Sequence, residues 1–351
     1  MRGIVMAVVV SILLVGGIVF GATTFLFIPH GLTGPFWGQV VAGFNEAKTE
    51  LASKGIDCVM YATPNPNAED QVNAIETWLA KGTLGGLAIA PADNAALTPI
   101  INQLIAKGIP VIIFNVDDPT SNRLAYVGQN LFQSGYLDGQ LLALAMGGKN
   151  AKGSVGVITG FFSIWGHMQR VYGFEAAMKQ FAPNLKIVGP YQNQDSPVQG
   201  YSIAQSMIQA NPDLLGIYNA CGGSDGVAKA IKDAGKSGQI KMVCHDMLPE
   251  VIPYIEDGTI QFTVCQDPYT QGYEPMMLLY QVAIQHQKLS KVYYYTSLQI
   301  VTLGNLHNYM EILYGQLGAD EYTAEYGTTY PVSKLEAVAQ QELEEGLNAG
   351  K

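Results

Sequence analysis

Residues 30–39, HGLTGPFWGQ, set two large rings, Phe36 and Trp37, directly behind a Gly-Pro break. Helix openings favour small polar caps, so rings at that point need a reason of their own. Other residues with usable chemistry are spread along the chain and share one habit: they follow short apolar runs. His30 follows TTFLFIP. Asn115, Asp117 and Asp118 close IPVIIFN or lie just behind it. Gln192 to Asp195 follow LKIVG, Asn219 and Cys221 follow LGIY, His245 and Asp246 follow KMVC, and Gln266 follows FTVC. Arg170 stands a little behind GVITG, near Phe161, Phe162 and Trp165. Amides, carboxylates and an arginine make paired hydrogen bonds to neighbouring hydroxyls. Aromatic rings cover the apolar C–H faces of a pyranose or furanose. Sugars and polyols carry both kinds of surface, so Phe36 and Trp37 are expected to stack on such a ligand at the mouth of a cleft.

Catalytic and metal patterns point elsewhere. The sequence is read as lacking GxSxG, HExxH and the phosphate loop, and GGKN at 147–150 lacks the spacing and hydroxyl of such a loop. The five histidines are scattered, and the four cysteines include no CxxC, which disfavours zinc. Asp117, Asp118 and Asp246 lack an activated partner in the sequence, so polar contact ranks above acid–base work. The expectation is a binding protein without metal, cofactor or enzymatic step.

The elements that position these residues come from hydrophobic period. Trp37, Val40, Phe44, Ala47 and Leu51 recur at helical spacing. Helices are likewise expected at 68–81, 94–107, 130–146, 167–181, 197–210, 224–234 and 269–288, with a short one at 249–257. Strands are expected at 23–29, 56–62, 85–91, 109–115, 124–128, 153–160, 185–189, 214–220, 240–246, 259–267 and 292–301. Strand–helix alternation with nearly continuous Val and Ile runs implies parallel sheets covered on both faces. The alternation restarts after 128, with the helix at 130–146 and the strand at 153–160, which gives two α/β sets of similar size. Ligands of open α/β sheets bind beyond the carboxyl ends of the strands, where the polar residues cluster.

Composition sets the outer bounds. The chain has 351 residues, enough for two domains. Its net charge of −10 argues against a nucleic-acid partner, which needs a basic face. Residues 4–20 carry no charge and Arg2 precedes them, the pattern of an export signal. Cleavage before Ala22 and retention as an anchor are both open, and either puts the body outside the cytoplasm. The cysteines read as four small buried residues, and the acidic tail from about 318 as a helix-prone appendage.

Taken together, GPFWGQVVAGFNEA, GGLAIAPADNAAL, GIPVIIFNVD, AYVGQNLFQSGY, MQRVYGF, DGVAKAIKDAGK and MVCHDMLPEVIPYIEDGTIQFTVCQDPYTQGY resemble the periplasmic sugar-binding proteins of the ribose-binding type. Their order and spacing cover nearly all of 23–300, and the glucose/xylose-binding branch is the most similar. The resemblance implies a type 1 periplasmic-binding-protein fold: two doubly wound α/β lobes joined by a three-segment hinge near Gly128–Asn130, Cys265–Asp267 and Tyr295–Leu298. The first lobe would comprise 23–128 plus 268–296 and the second 129–267 plus 297–317, with 1–22 as signal or anchor and 318–351 as tail. Phe36 and Trp37 match the stacking aromatics, Arg170 the arginine on ring hydroxyls, Asp246 and Gln266 the acid and amide of the second lobe, and Asn130 the hinge amide. Asn115 stands where the family has aspartate, and Asp117 is expected to supply that charge. Asn219, Ala220 and Cys221 all compete for one second-lobe position, and His30 replaces a small polar residue or lysine. The implied function is capture of a monosaccharide or polyol by a monomer that delivers it to the membrane permease of an ABC importer. The alternative is a sensing ectodomain that reports occupancy to a membrane receptor. Pentose, hexose, polyol and furanose-like ligands all remain open.

Overall fold

The computed structural model describes residues 23–32 and 35–306. The expected leader at 1–22 and the acidic tail at 318–351 lie outside the described residues. The first sheet holds β1 (Thr24–Ile28), β2 (Asp57–Met60), β3 (Leu84–Ile89), β4 (Val111–Phe114), β5 (Ala125–Gly128) and β11 (Tyr293–Tyr295). Their order across the sheet is β11-β5-β4-β3-β1-β2. The second holds β6 (Gly153–Thr159), β7 (Leu185–Gln192), β8 (Leu214–Asn219), β9 (Lys241–His245), β10 (Phe262–Cys265) and β12 (Gln299–Val301), in the order β12-β10-β9-β8-β6-β7. Every pairing is parallel except β10 with β12.

Strand composition explains the layers. Every residue of β1, TFLFI, is buried, and successive side chains leave opposite faces. Phe25 and Phe27 pack with Phe44, Leu51 and Phe114, under α1 (Pro35–Ala52) and α9 (Pro268–Ala283). Leu26 and Ile28 pack with Ile75, Leu87, Ile101 and Leu104, under α2 (Ala68–Lys81) and α3 (Asn94–Ala106). The second sheet repeats the scheme with α4 (Leu131–Ala145) and α5 (Trp165–Phe181) on one face and α6 (Pro197–Ala210), α7 (Ser224–Asp233) and α8 (Ile252–Glu256) on the other. Burying each Phe or Leu contributes roughly 1.5–3 kcal/mol, so both lobes have cores of their own. β7 alternates between partly buried and exposed positions, as suits the edge it occupies.

Helix ends follow their local chemistry. The Asn67 side chain caps α2 by accepting from the Asp70 N–H at 3.1 Å, and Gly82 closes that helix at φ 71°, a left-handed turn that glycine takes without steric cost. Helices α4 and α5 approach closely because glycine permits it: a Cβ on Gly135 would lie 1.9 Å from the Arg170 carbonyl oxygen. That contact sets how closely the Arg170 backbone approaches α4.

Among the described residues the chain passes between the sheets three times. β5 leads into α4 through Gln129 and Asn130, β10 into α9 through Gln266 and Asp267, and β11 into β12 through Thr296 to Leu298. The reading of 292–301 as one strand is corrected here: β11 pairs with β5 and β12 with β10, in different sheets. Thr296 does not extend either strand. Its N–H donates to the Gly128 carbonyl at 3.0 Å, and its hydroxyl to the Gln266 carbonyl at 3.0 Å, so its hydrogen bonds tie the crossings together.

All four cysteines are free and buried. Burial raises the Cys58 thiol to about 11 and the Cys244 thiol to about 12, and holds Cys221 and Cys265 well above the ordinary thiol range. Among the described residues no helix is long and apolar enough to cross a membrane.

Candidate functional site

A cavity of about 260 Å³ lies between the two sheets' carboxyl ends. The first lobe supplies His30 after β1, Phe36 and Trp37 from the first turn of α1, and Asn115 and Val116 after β4. Pro35 opens α1, where its fixed φ suits a first helical residue, and so delivers the two rings to the cavity edge. The Phe36 and Trp37 rings stand perpendicular at 5.2 Å, and His30 meets the Trp37 ring edge-on at 4.7 Å. Trp37 also packs into the core with Val40 and Phe44, so it braces the lobe as well as lining the cavity.

The second lobe supplies His167 and Arg170 from α5, Asp195 after β7, Cys221 to Asp225 after β8, and Asp246 after β9. Gln266 enters from the second crossing. Three of these polar residues have left-handed backbones: Asn115 (φ 61°), Asp195 (φ 55°) and Asp246 (φ 65°). Asn and Asp tolerate that region better than other side-chain-bearing residues. At Asp246 the turn separates neighbours with different destinations. His245 ends β9 and stays in the second-lobe interior, with its Nε2 2.9 Å from the Tyr218 hydroxyl and 2.7 Å from Asp138, while Asp246 lines the cavity.

Arg170 is buried and held at two points. Its Nη1 donates to the Ala220 carbonyl at 3.1 Å and its Nη2 to Gln129 Oε1 at 3.2 Å, while its Nε is buried without a partner. A guanidinium has five N–H donors, so donors remain for a guest. The Asp246 carboxylate accepts from Gln266 Nε2 at 3.0 and 3.2 Å. Burial pushes its pKa up, against the pull of Arg170. Burial likewise raises Asp195, which accepts from the Gly222 N–H at 3.0 Å. Burial, reinforced by His167, lowers His30 to about 4. Burial, reinforced by Arg170, lowers His167 to about 3. His167 Nδ1 accepts from the Phe161 N–H at 3.0 Å, so the neutral ring carries its proton on Nε2. At neutral pH the cavity therefore presents one guanidinium, partly buried carboxylates, uncharged imidazoles and two amides beside two aromatic rings.

The structure brings His30, Phe36, Trp37, Asn115, Arg170, Cys221, Asp246 and Gln266 together around this space. Three expected residues stand apart. Asp117 does not replace a missing carboxylate at Asn115: both its oxygens are taken by Arg123, whose Nη2 donates at 2.7 Å, and Val116 occupies the wall instead. Asn130 caps α4 by accepting from the Gln133 N–H at 3.1 Å, and the buried amide at that crossing is Gln129, 1% exposed. Asn219 turns into the β8–α7 loop, donating to the Cys221 carbonyl at 2.8 Å and to Ser224 Oγ at 2.7 Å. Of the three competing positions, Cys221 is the one that lines the cavity.

Asp195 and His167 line the cavity without having been singled out as site residues. The run QNQD at 192–195 offers four polar side chains, and period alone does not say which one turns inward. The expectation that no GxSxG occurs is corrected here: residues 222–226 read GGSDG, a GxSxG between a strand and a helix. Ser224 Oγ accepts from Asn219 and donates to the Cys221 carbonyl at 3.3 Å. Neither contact is a general base, so the motif here shapes a loop.

Two α/β lobes joined by three crossings, with a cavity of rings and polar groups between them, define a protein built to enclose a small ligand. The chain belongs to the periplasmic binding protein domain family, whose model matches residues 25–288. It is 29% identical over 227 residues to the D-ribose/D-allose-binding protein of Pseudomonas aeruginosa, covering 62% of this chain and 66% of that one. It is 26% identical over 305 residues to the xylose/arabinose-binding protein of Sulfolobus acidocaldarius, covering 81% and 72%. The crystal structure of a glucose-galactose binding protein from Geobacillus stearothermophilus superposes with a TM-score of 0.73 at 28% identity, covering 82% of this chain and 99% of that one.

Proposed function

We propose that this protein captures a monosaccharide or related polyol outside the cytoplasm and delivers it, as a monomer, to the permease of an ABC importer, without chemical change to the ligand. The observation that carries the reading is the pairing of two surfaces in one cavity. Phe36 and Trp37 offer apolar rings, while Arg170, Asp195, Asp246, Asn115 and Gln266 offer charged and amide groups. A guest with apolar C–H faces and a rim of hydroxyls satisfies both. The relatives' names, which specify ribose, allose, xylose, arabinose, glucose and galactose, support the same ligand class.

Capture works by lobe closure. Phe36, Trp37, His30 and Asn115 belong to one lobe and Arg170, Asp195 and Asp246 to the other, so a ligand gripped by both favours the closed form. Hydrogen bonds to charged groups contribute about 1.5–3 kcal/mol each, and a few of these with ring stacking reach the roughly −8 kcal/mol of micromolar affinity. The test is a thermal-shift screen against monosaccharides, polyols and an anionic sugar. A neutral monosaccharide should raise the melting temperature. If none does, while an unrelated solute class does, the assignment is wrong.

A further inference from the structure

The side chain of Gln129 does not line the cavity between the lobes, yet both ends of its amide are spoken for. Its Oε1 accepts from Arg170 Nη2 at 3.2 Å. Its Nε2 donates to the Cys265 carbonyl at 3.0 Å. Its own carbonyl accepts from the Tyr126 hydroxyl at 2.9 Å. Gln129 belongs to the first crossing and Cys265 starts the second. A single buried amide therefore joins the one cavity guanidinium to two of the three strands about which the lobes turn. The third is bound in turn, since Thr296 bonds to Gly128 and Gln266.

We propose that Gln129 is a positioning residue: it orients Arg170 toward the ligand and transmits the state of that guanidinium to the hinge. The proposal rests on the ligand-capture reading above. The chemistry favours glutamine. Arg170 requires an acceptor and the Cys265 carbonyl a donor, and a primary amide supplies both within one plane. With Ala220 and Gln129 fixing two of its N–H groups, the guanidinium cannot swivel, and its remaining donors are held for hydroxyls. Rotation of the second lobe about the crossings must lengthen the Arg170–Gln129 bond or carry Gln129 along, and carrying it pulls on Cys265. A ligand that settles Arg170 thereby selects one hinge geometry.

The experiment compares wild type, Gln129→Leu, Gln129→Glu, Arg170→Ala and the Gln129→Leu/Arg170→Ala double variant. Each is titrated calorimetrically with the monosaccharide that most stabilises wild type. Lobe closure is followed by energy transfer between dyes on the two lobes, and folding by thermal melts. Gln129→Leu is expected to lose roughly tenfold in affinity and to close incompletely at saturation. Gln129→Glu, which keeps the acceptor for Arg170, should bind more tightly than Gln129→Leu and serves alone if the leucine variant fails to fold. The double variant should bind no more weakly than Arg170→Ala, because Gln129 acts through that arginine. A purely structural glutamine would give additive losses, and additivity, or wild-type affinity and closure in Gln129→Leu and Gln129→Glu, overturns the proposal. If wild type itself binds no monosaccharide, the capture reading falls and takes this inference with it. Wild-type binding with unaltered Gln129 variants removes the inference alone.

Discussion

Single side chains carry the binding reading, and they are where it is most exposed to test. Arg170→Ala and Asp246→Asn should each weaken monosaccharide binding by tenfold or more, measured by titration calorimetry, and unchanged affinity in both would dissolve the site. Asn is chosen at 246 because it tolerates the positive φ. The buried histidines make a pH prediction. His30 and His167 fall from 6.5 to about 4 and about 3, so the unfolded chain takes up their protons first. Their contribution to stability is whole above 6.5 and drains away as pH falls through that window. Asp195 and Asp246, raised by burial, act in the opposite sense, favouring the folded state below the ordinary carboxylate range and less so as pH rises. Melting temperatures across this range should therefore fall less steeply toward acid in His167→Asn than in wild type. At this scale several residues directly behind strands could be read from the sequence, as with His30, Asn115, Asp246 and Gln266, which line the cavity. The sequence misled at Asp117, because spacing does not reveal that Arg123 neutralises it, and at Asn130, because a helix cap and a hinge amide one residue apart look alike.

Among the elements, the α4–α5 pair bears most directly on the site. Gly135 lies against the Arg170 backbone, and Gly173 lies as close to the Phe132 carbonyl, where a Cβ would stand 2.0 Å away. Gly135→Ala should force the helices apart, costing about 1–3 kcal/mol of stability by urea denaturation and lowering ligand affinity as Arg170 shifts. The strands themselves were easy to find, since β1, β4 and β5 are buried along their whole length and read as unbroken apolar runs. Residues 292–301 were harder. Tyr, Thr and Val have high strand propensity throughout, and nothing local marks Thr296 as the point where the chain leaves one sheet for another.

For the molecule as a whole, the prediction concerns shape. A ligand present at about 100 times its dissociation constant adds roughly 2.7 kcal/mol of stability. If that energy is gathered from both lobes, binding should also reduce the radius of gyration seen by small-angle X-ray scattering. Stabilisation without contraction would point to a guest held by one lobe alone. The two-lobed plan was visible in the restart of the strand–helix alternation after residue 128. Helix α9, which follows a strand of the second sheet and packs on the first, was assigned through the resemblance rather than from period, since a helix does not announce which sheet it will cover.

The buried thiols have a practical side. With all four native thiols enclosed and their ionisation suppressed, alkylating dyes at neutral pH meet little competition from within. One cysteine engineered on the rim would then be the preferred attachment point, and the protein would serve as an optical gauge of its own occupancy without first losing its native cysteines.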